Sequence, residues 1–142
     1  MRIPGLQLED DAALPWRATK VRGVSWIPLH LDEAPLPEGA TPAVAGTAAR
    51  PGATVLIRME PGCGYTPHRH VGTEDVLVLR GGYQDEFGTW RQGDHVHYAA
   101  GSVHAPRALG VEGRPVGPDN PACILYSTVP AGIELLDPTR LS

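Results

Sequence analysis

Residues 62–81 read GCGYTPHRHVGTEDVLVLRG. The first half is glycine, proline and charge; the second is a run of valine and leucine. Two histidines one residue apart are followed four residues later by Glu74, and a glycine stands at each end. In a strand, side chains at i and i+2 point to the same side, about 6.6 Å apart. His68 and His70 therefore face one way, and both imidazoles can lean onto one ion at roughly 2.0–2.2 Å. Glu74 keeps the even spacing and shares their face if the strand runs straight, but Gly72 is expected to bend it, which leaves the reach of Glu74 open. Gly62 and Gly64 permit the turn that feeds the strand, and Pro67 fixes its entry where no ladder N–H is needed. Gly81 and Gly82 turn the chain after EDVLVLR. The stretch thus reads as a metal-bearing loop and strand followed by a buried strand.

Working outward, the same punctuation recurs. With 17 glycines and 15 prolines in 142 residues, long helices are excluded. Only ALPWRATK (13–20) and ELLDPTR (134–140) hint at helical turns, and each contains proline. Apolar and β-branched runs recur at short intervals instead: VRGVSWIPLHL, ATVLIRME, EDVLVLRGGYQD, TWRQGDHVHYA and CILYSTV. Each is bounded by Gly, Pro or Asp, the pattern of an all-β sandwich or barrel. The Ala/Pro/Gly-rich connection from Asp32 to Gly52 and the segment GVEGRPVGPDNP are expected as surface loops. No solenoid or propeller repeat is present. The length suits one domain: an N-terminal arm over 1–20, a barrel over about 21–130 and a tail over 131–142.

A net charge of −4 without a basic run argues against nucleic acid as a partner. No apolar stretch approaches the ~18 residues of a membrane span. The first residues lack the basic and apolar regions of a signal peptide, so the expectation is a soluble, cytoplasmic protein. Cys63 and Cys123 could pair if close, but reduced thiols are expected in such a chain.

Two histidines are a weak metal signal, and GDHVHYAAGSVHAPR supplies a candidate third in His104, just past the turn around Gly101. Gly62, five residues, His68-x-His70, three residues, Glu74, six residues and Gly81 together resemble the first cupin motif without a gap. Gly93, five residues, Ala99-x-Gly101, two residues and His104 resemble the second motif. It departs at Ala99, where the family usually has proline, and at Ala108, where it often has asparagine. These departures touch loop rigidity and a peripheral contact, not the ligand set. From about Leu14 to Val129 the chain is similar to the ChrR-like cupin group. The resemblance implies a single-domain jelly-roll (double-stranded β-helix) barrel with a metal inside, held by His68, His70, Glu74 and His104. That group includes zinc-binding domains of anti-sigma factors. It also includes small iron(II) dioxygenases of the acetylacetone and dihydroxyacetophenone type, several of which hold the metal by three histidines alone. Glu74 can therefore be a ligand, or it can accept a hydrogen bond and set a histidine tautomer.

His95 and His97 form a second H-x-H. Val96 and Tyr98 alternate with them, and only one of the two pairs can point inward. The family pattern turns the apolar pair inward, so the two histidines are read as outward. Arg69, between the ligands, should point away from the metal, and His30 is read as a sheet-surface or dimer-contact residue. Tyr65, Tyr98 and Tyr126 are candidate pocket residues whose hydroxyls could orient a carbonyl, although such tyrosines are more often amphipathic core. Trp16, Trp26 and Trp90 are packing anchors.

Imidazole-rich ligation suits Fe, Zn, Ni, Mn or Cu. The reading that follows is a non-heme Fe(II) dioxygenase cleaving a C–C bond in a diketone or hydroxyketone, with the small molecule and O₂ as its partners. No organic cofactor is expected, because no nucleotide-binding glycine motif follows a strand. A zinc-holding sensor without turnover is the alternative from a different class. Members with the anti-sigma role carry a further N-terminal domain with its own His/Cys ligands, whereas about 20 residues precede the first strand here, and these contain no Cys or His. A non-oxidative isomerase or lyase using its metal as a Lewis acid is a third alternative. On family grounds a homodimer is expected, with VRGVSWIPLHL able to pair with a partner's sheet.

Overall fold

The computed structural model describes residues 11–31 and 52–136. Within them a 3-10 turn at Asp11–Ala13 is followed by twelve strands: β1 (Arg17–Ala18), β2 (Val24–Leu31), β3 (Ala53–Met59), β4 (His68–His70), β5 (Glu74–Arg80), β6 (Gly82–Asp85), β7 (Gly88–Arg91), β8 (His95–Tyr98), β9 (Val103–His104), β10 (Arg107–Ala108), β11 (Cys123–Val129) and β12 (Ile133–Leu135). No helix among them is long and apolar enough to cross a membrane. The large sheet runs β1-β2-β3-β11-β5-β8, and two three-stranded sheets run β10-β6-β7 and β12-β4-β9.

Strand alternation decides what each sheet buries. Val24, Met59, Val76, Val78, Val96 and Leu125 of the large sheet pack with Tyr83 of β6 and Ala108 of β10. Trp26, Ala53, Val55 and Val129 pack with Ile133 of β12. Each small sheet thus covers part of one inner face. On the outer face, Ile27 and Leu56 are capped by Leu14, Trp16, Leu29, Leu79 and Tyr126. The N-terminal segment therefore acts as a cover for that face. At about 1.5–3 kcal/mol per fully buried aliphatic or aromatic side chain, these clusters are the main favourable term in the fold.

Part of each helical hint resolves as strand, although Ala13 of the first does fall in a 3-10 turn. Arg17–Ala18 pairs with Trp26 and Ser25, and Glu134–Leu135 of the second hint pairs with Arg69 and His68. A few residues without an amphipathic repeat cannot offset helix nucleation, whereas an adjacent open strand edge supplies ladder hydrogen bonds. The rest of the second hint, from residue 137, lies outside the described residues, as does the expected 32–52 loop apart from Gly52. β12 falls in the segment expected as a tail and joins the sheet that carries the histidines. Both cysteines are buried and free, and burial pushes the Cys123 thiol up to about 12.

A candidate metal centre between two sheets

β4 presents His68 and His70 inward and Arg69 outward. Directly across the ladder His68 pairs with His104 of β9, which is how a residue 36 positions away reaches the same point. Glu74 comes from the other side. The chain bends at residues 71–72 and enters β5 of the large sheet at Glu74. A Cβ on Gly72 would lie 2.7 Å from the Cβ of Ala131, so the close approach at this corner requires glycine. The sequence left the reach of Glu74 open; the bend turns it back onto the histidines from the facing sheet.

All three histidines are buried, and one ring nitrogen from each lies within 4.8 Å of the others. Their tautomers follow from what the opposite ring nitrogens touch. His68 Nδ1 is 2.9 Å from the Thr66 carbonyl, which can only accept. His70 Nδ1 is 3.0 Å from Ser102 Oγ, whose own proton goes to the Ala99 carbonyl. His104 Nδ1 is 2.9 Å from Asp85 Oδ2. Each Nδ1 therefore carries the hydrogen, and in the neutral ring that a metal ligand requires each Nε2 is left with a bare lone pair. Nε2 of His68 and Nε2 of His104 stand only 2.9 Å apart. His70 Nε2 is buried without a hydrogen-bond partner, and lies 3.2 Å from Glu74 Oε1.

Bare lone pairs at such distances repel, and an unpaired buried nitrogen is costly. One cation among them removes both penalties. Ligands at right angles around an ion at roughly 2.1 Å stand about 3.0 Å apart, which the His68–His104 pair matches at 2.9 Å. The donor set fits a borderline transition metal. The His68/His70/His104 triad could bind a metal ion; the geometry does not select which one.

Burial, and after it the neighbouring His104, push the His68 imidazole down to about 4. The ring thus stays neutral and ligand-ready at pH 7. Its folded value lies below the unfolded value of about 6.5, so between these limits the unfolded chain binds a proton that the folded chain refuses. Stability must then rise with pH across this window and fall on acidification. The metal-free protein is expected to show a falling denaturation midpoint from pH 6.5 to 4; a flat profile contradicts a buried neutral His68.

The remaining candidate residues divide. Tyr65 lines the cavity in front of the triad. Tyr98 is buried with its ring against His104 and His70, at centroid distances of 4.5 and 5.2 Å, and its hydroxyl is held by Asp85 and Tyr83. Tyr126 does not line the cavity. On β11, Leu125, Ser127 and Val129 face inward, so alternation sends Tyr126 to the outer cluster with Leu56. His95 and His97 point outward as expected and share Asp75 Oδ1 at 2.9 Å each. Sequence reasoning missed Asp85, Ser102 and Ser127. Asp85 reads as an ordinary turn residue before Phe87-Gly88. Ser127, a hydroxyl on the otherwise apolar inward face of β11, was the available signal; it donates to Glu74 Oε2 at 2.9 Å.

A small closed β-sandwich with imidazoles from two strands converging inside defines the cupin class. More narrowly, the chain belongs to the ChrR cupin-like domain family, whose model matches residues 6–114. An RmlC-like cupin from Ralstonia eutropha JMP134 superposes with a TM-score of 0.61 at 19% identity, covering 88% of this chain and 68% of that one. The anti-sigma ChrR of Rhodobacter sphaeroides, in complex with SigE, gives 0.57 at 25% identity, over 88% and 51%. The acetylacetone dioxygenase of Acinetobacter johnsonii gives 0.58 at 15% identity, over 82% and 66%. The chain thus spans about half of the ChrR chain and about two thirds of the other two. No curated protein matches it in sequence.

Proposed function

We infer that this chain is a non-heme Fe(II) dioxygenase that cleaves a C–C bond in a diketone or hydroxyketone-type substrate. One observation carries the reading: two members of the triad open onto an apolar cavity. His68 and His104 line it with Val24, Trp26, Ile57, Met59, Leu125 and Ile133, and no Lys or Arg is among its described lining residues. Beyond an ion held by the histidines, a phosphate or carboxylate substrate finds no side-chain counter-charge there, whereas an uncharged ketone with an apolar body fits.

His68, His70 and His104 would hold the ferrous ion, which when bound would supply the oxygen activation. The apolar walls hold the substrate body and exclude water. Tyr65 offers its hydroxyl to a carbonyl oxygen. Glu74, with Oε1 3.2 Å from His70 Nε2 and 4.0 Å from His104 Nε2, joins the histidines as a fourth ligand, oriented by Ser127.

The test is anaerobic loading with Fe(II), followed by an oxygen electrode across a panel of β-diketones and α-hydroxyketones. O₂ uptake matched to substrate loss, with two carboxylic or oxo products, is expected; no uptake across the panel contradicts the reading. Glu74→Ala should weaken Fe(II) binding about 100-fold, and unchanged affinity removes Glu74 from the ligand set. A zinc-holding regulatory module is the second reading, favoured by the 25% identity to ChrR. One equivalent of zinc in protein purified without added metal, with no O₂ uptake after iron loading, selects it.

A further inference from the structure

We propose that Asp85 is the positioning residue that makes His104 a metal ligand, by holding its proton on Nδ1. The assignment rests on reading the triad as a metal site, and it concerns a residue outside that triad. Asp85 closes β6, and its side chain is fully buried. Five donors meet its two oxygens. Oδ1 accepts from the Phe87 and Gly88 backbone N–H groups at 2.9 and 3.2 Å and from the Trp90 indole at 3.3 Å. Oδ2 accepts from the Tyr98 hydroxyl at 2.5 Å and from His104 Nδ1 at 2.9 Å. With its proton committed to Asp85, Tyr98 accepts from Tyr83 at 2.6 Å.

The two oxygens do different work. Oδ1 fastens the β6–β7 turn, so the carboxylate cannot swing. Oδ2, fixed in consequence, requires a donor from His104 and leaves Nε2 bare and directed at Nε2 of His68. A carboxylate in this position also increases the electron density that the imidazole offers to an ion.

Asparagine exposes the logic because it has one acceptor and one donor end. Its NH₂ cannot face the three N–H donors on the Oδ1 side without leaving them unsatisfied, so its oxygen goes there and its NH₂ faces His104. His104 Nδ1 must then accept, which moves its hydrogen to Nε2 and removes the lone pair that a metal needs. The tautomer swap costs a carboxylate-oriented imidazole its function while its position is kept.

The experiment combines ¹⁵N imidazole NMR of the metal-free protein with calorimetric Zn(II) titration, on wild type, Asp85→Asn and Tyr98→Phe. In wild type, His104 is expected as the Nδ1–H form. In Asp85→Asn it is expected as the Nε2–H form, with Zn(II) affinity lowered about 10–100-fold. Tyr98→Phe removes the neighbouring donor and the acceptor of the Tyr83 hydroxyl but keeps the carboxylate, and should leave both tautomer and affinity within a few-fold of wild type. A wild-type His104 protonated on Nε2 overturns the proposal without any variant having to fold. So does an Asp85→Asn protein that binds Zn(II) like wild type. A wild-type protein that binds no Zn(II) at all overturns the metal reading itself, which keeps the two failures apart.

Discussion

Replacing His70 by alanine will lower metal affinity by two to three powers of ten. The apparent ~10–16 kcal/mol that structural zinc sites supply, shared among four ligands, gives about 2.5–4 kcal/mol for each. His70 is the fully buried member of the triad, so water cannot take over its role without entering a closed core. Thermal unfolding gives a second readout. At a metal concentration a thousandfold above Kd, binding adds about 4 kcal/mol, on the order of 10–15 °C in midpoint for a chain of this size. The metal-dependent rise should collapse in His70→Ala. In the metal-free state the loss is smaller, because the substitution also removes a nitrogen that had no hydrogen-bond partner and faced a carboxylate oxygen. Wild-type affinity in this variant would contradict a shared ion.

Gly81→Val is the largest expected loss of stability. Gly81 has φ +64, and a Cβ there would stand 2.6 Å from the Ala122 carbonyl oxygen. The left-handed backbone alone costs a non-glycine residue about 1–2 kcal/mol, more when β-branched. The clash adds to this against backbone at the start of β11, a central strand that cannot shift without disturbing its ladders to β3 and β5. A loss of more than about 3 kcal/mol is expected, read as a drop in the urea midpoint at unchanged slope. Gly93→Val, with φ +93 but open space around its Cβ, is the control and should cost less. Equal losses would show that backbone conformation, not contact, sets the penalty.

What the sequence disclosed followed the reach of local rules. The period of two placed His68, His70 and Arg69 correctly, because it operates within one strand. His104 needed the resemblance, since its pairing with His68 joins strands far apart in sequence. For His95 and His97 the period of two gave a shared face and the family pattern gave its direction, and both held: Val96 and Tyr98 are the buried pair. Tyr126 failed because residue type alone suggested a pocket, whereas the inward set of β11 starts from its neighbours Leu125 and Ser127. Asp85 was invisible because its five hydrogen bonds come from two turn amides, an indole, a phenol and an imidazole on separate elements. No spacing rule joins them.

A single ion shared by three imidazoles underlies the proposed activity. Crystals of metal-loaded protein, measured at the absorption edge of the added metal, test it most directly. A single anomalous peak at roughly 2.0–2.2 Å from Nε2 of His68, His70 and His104 is the predicted result. A peak confined to the exposed His95 and His97, or three rings turned apart around an ion-free core, would contradict it.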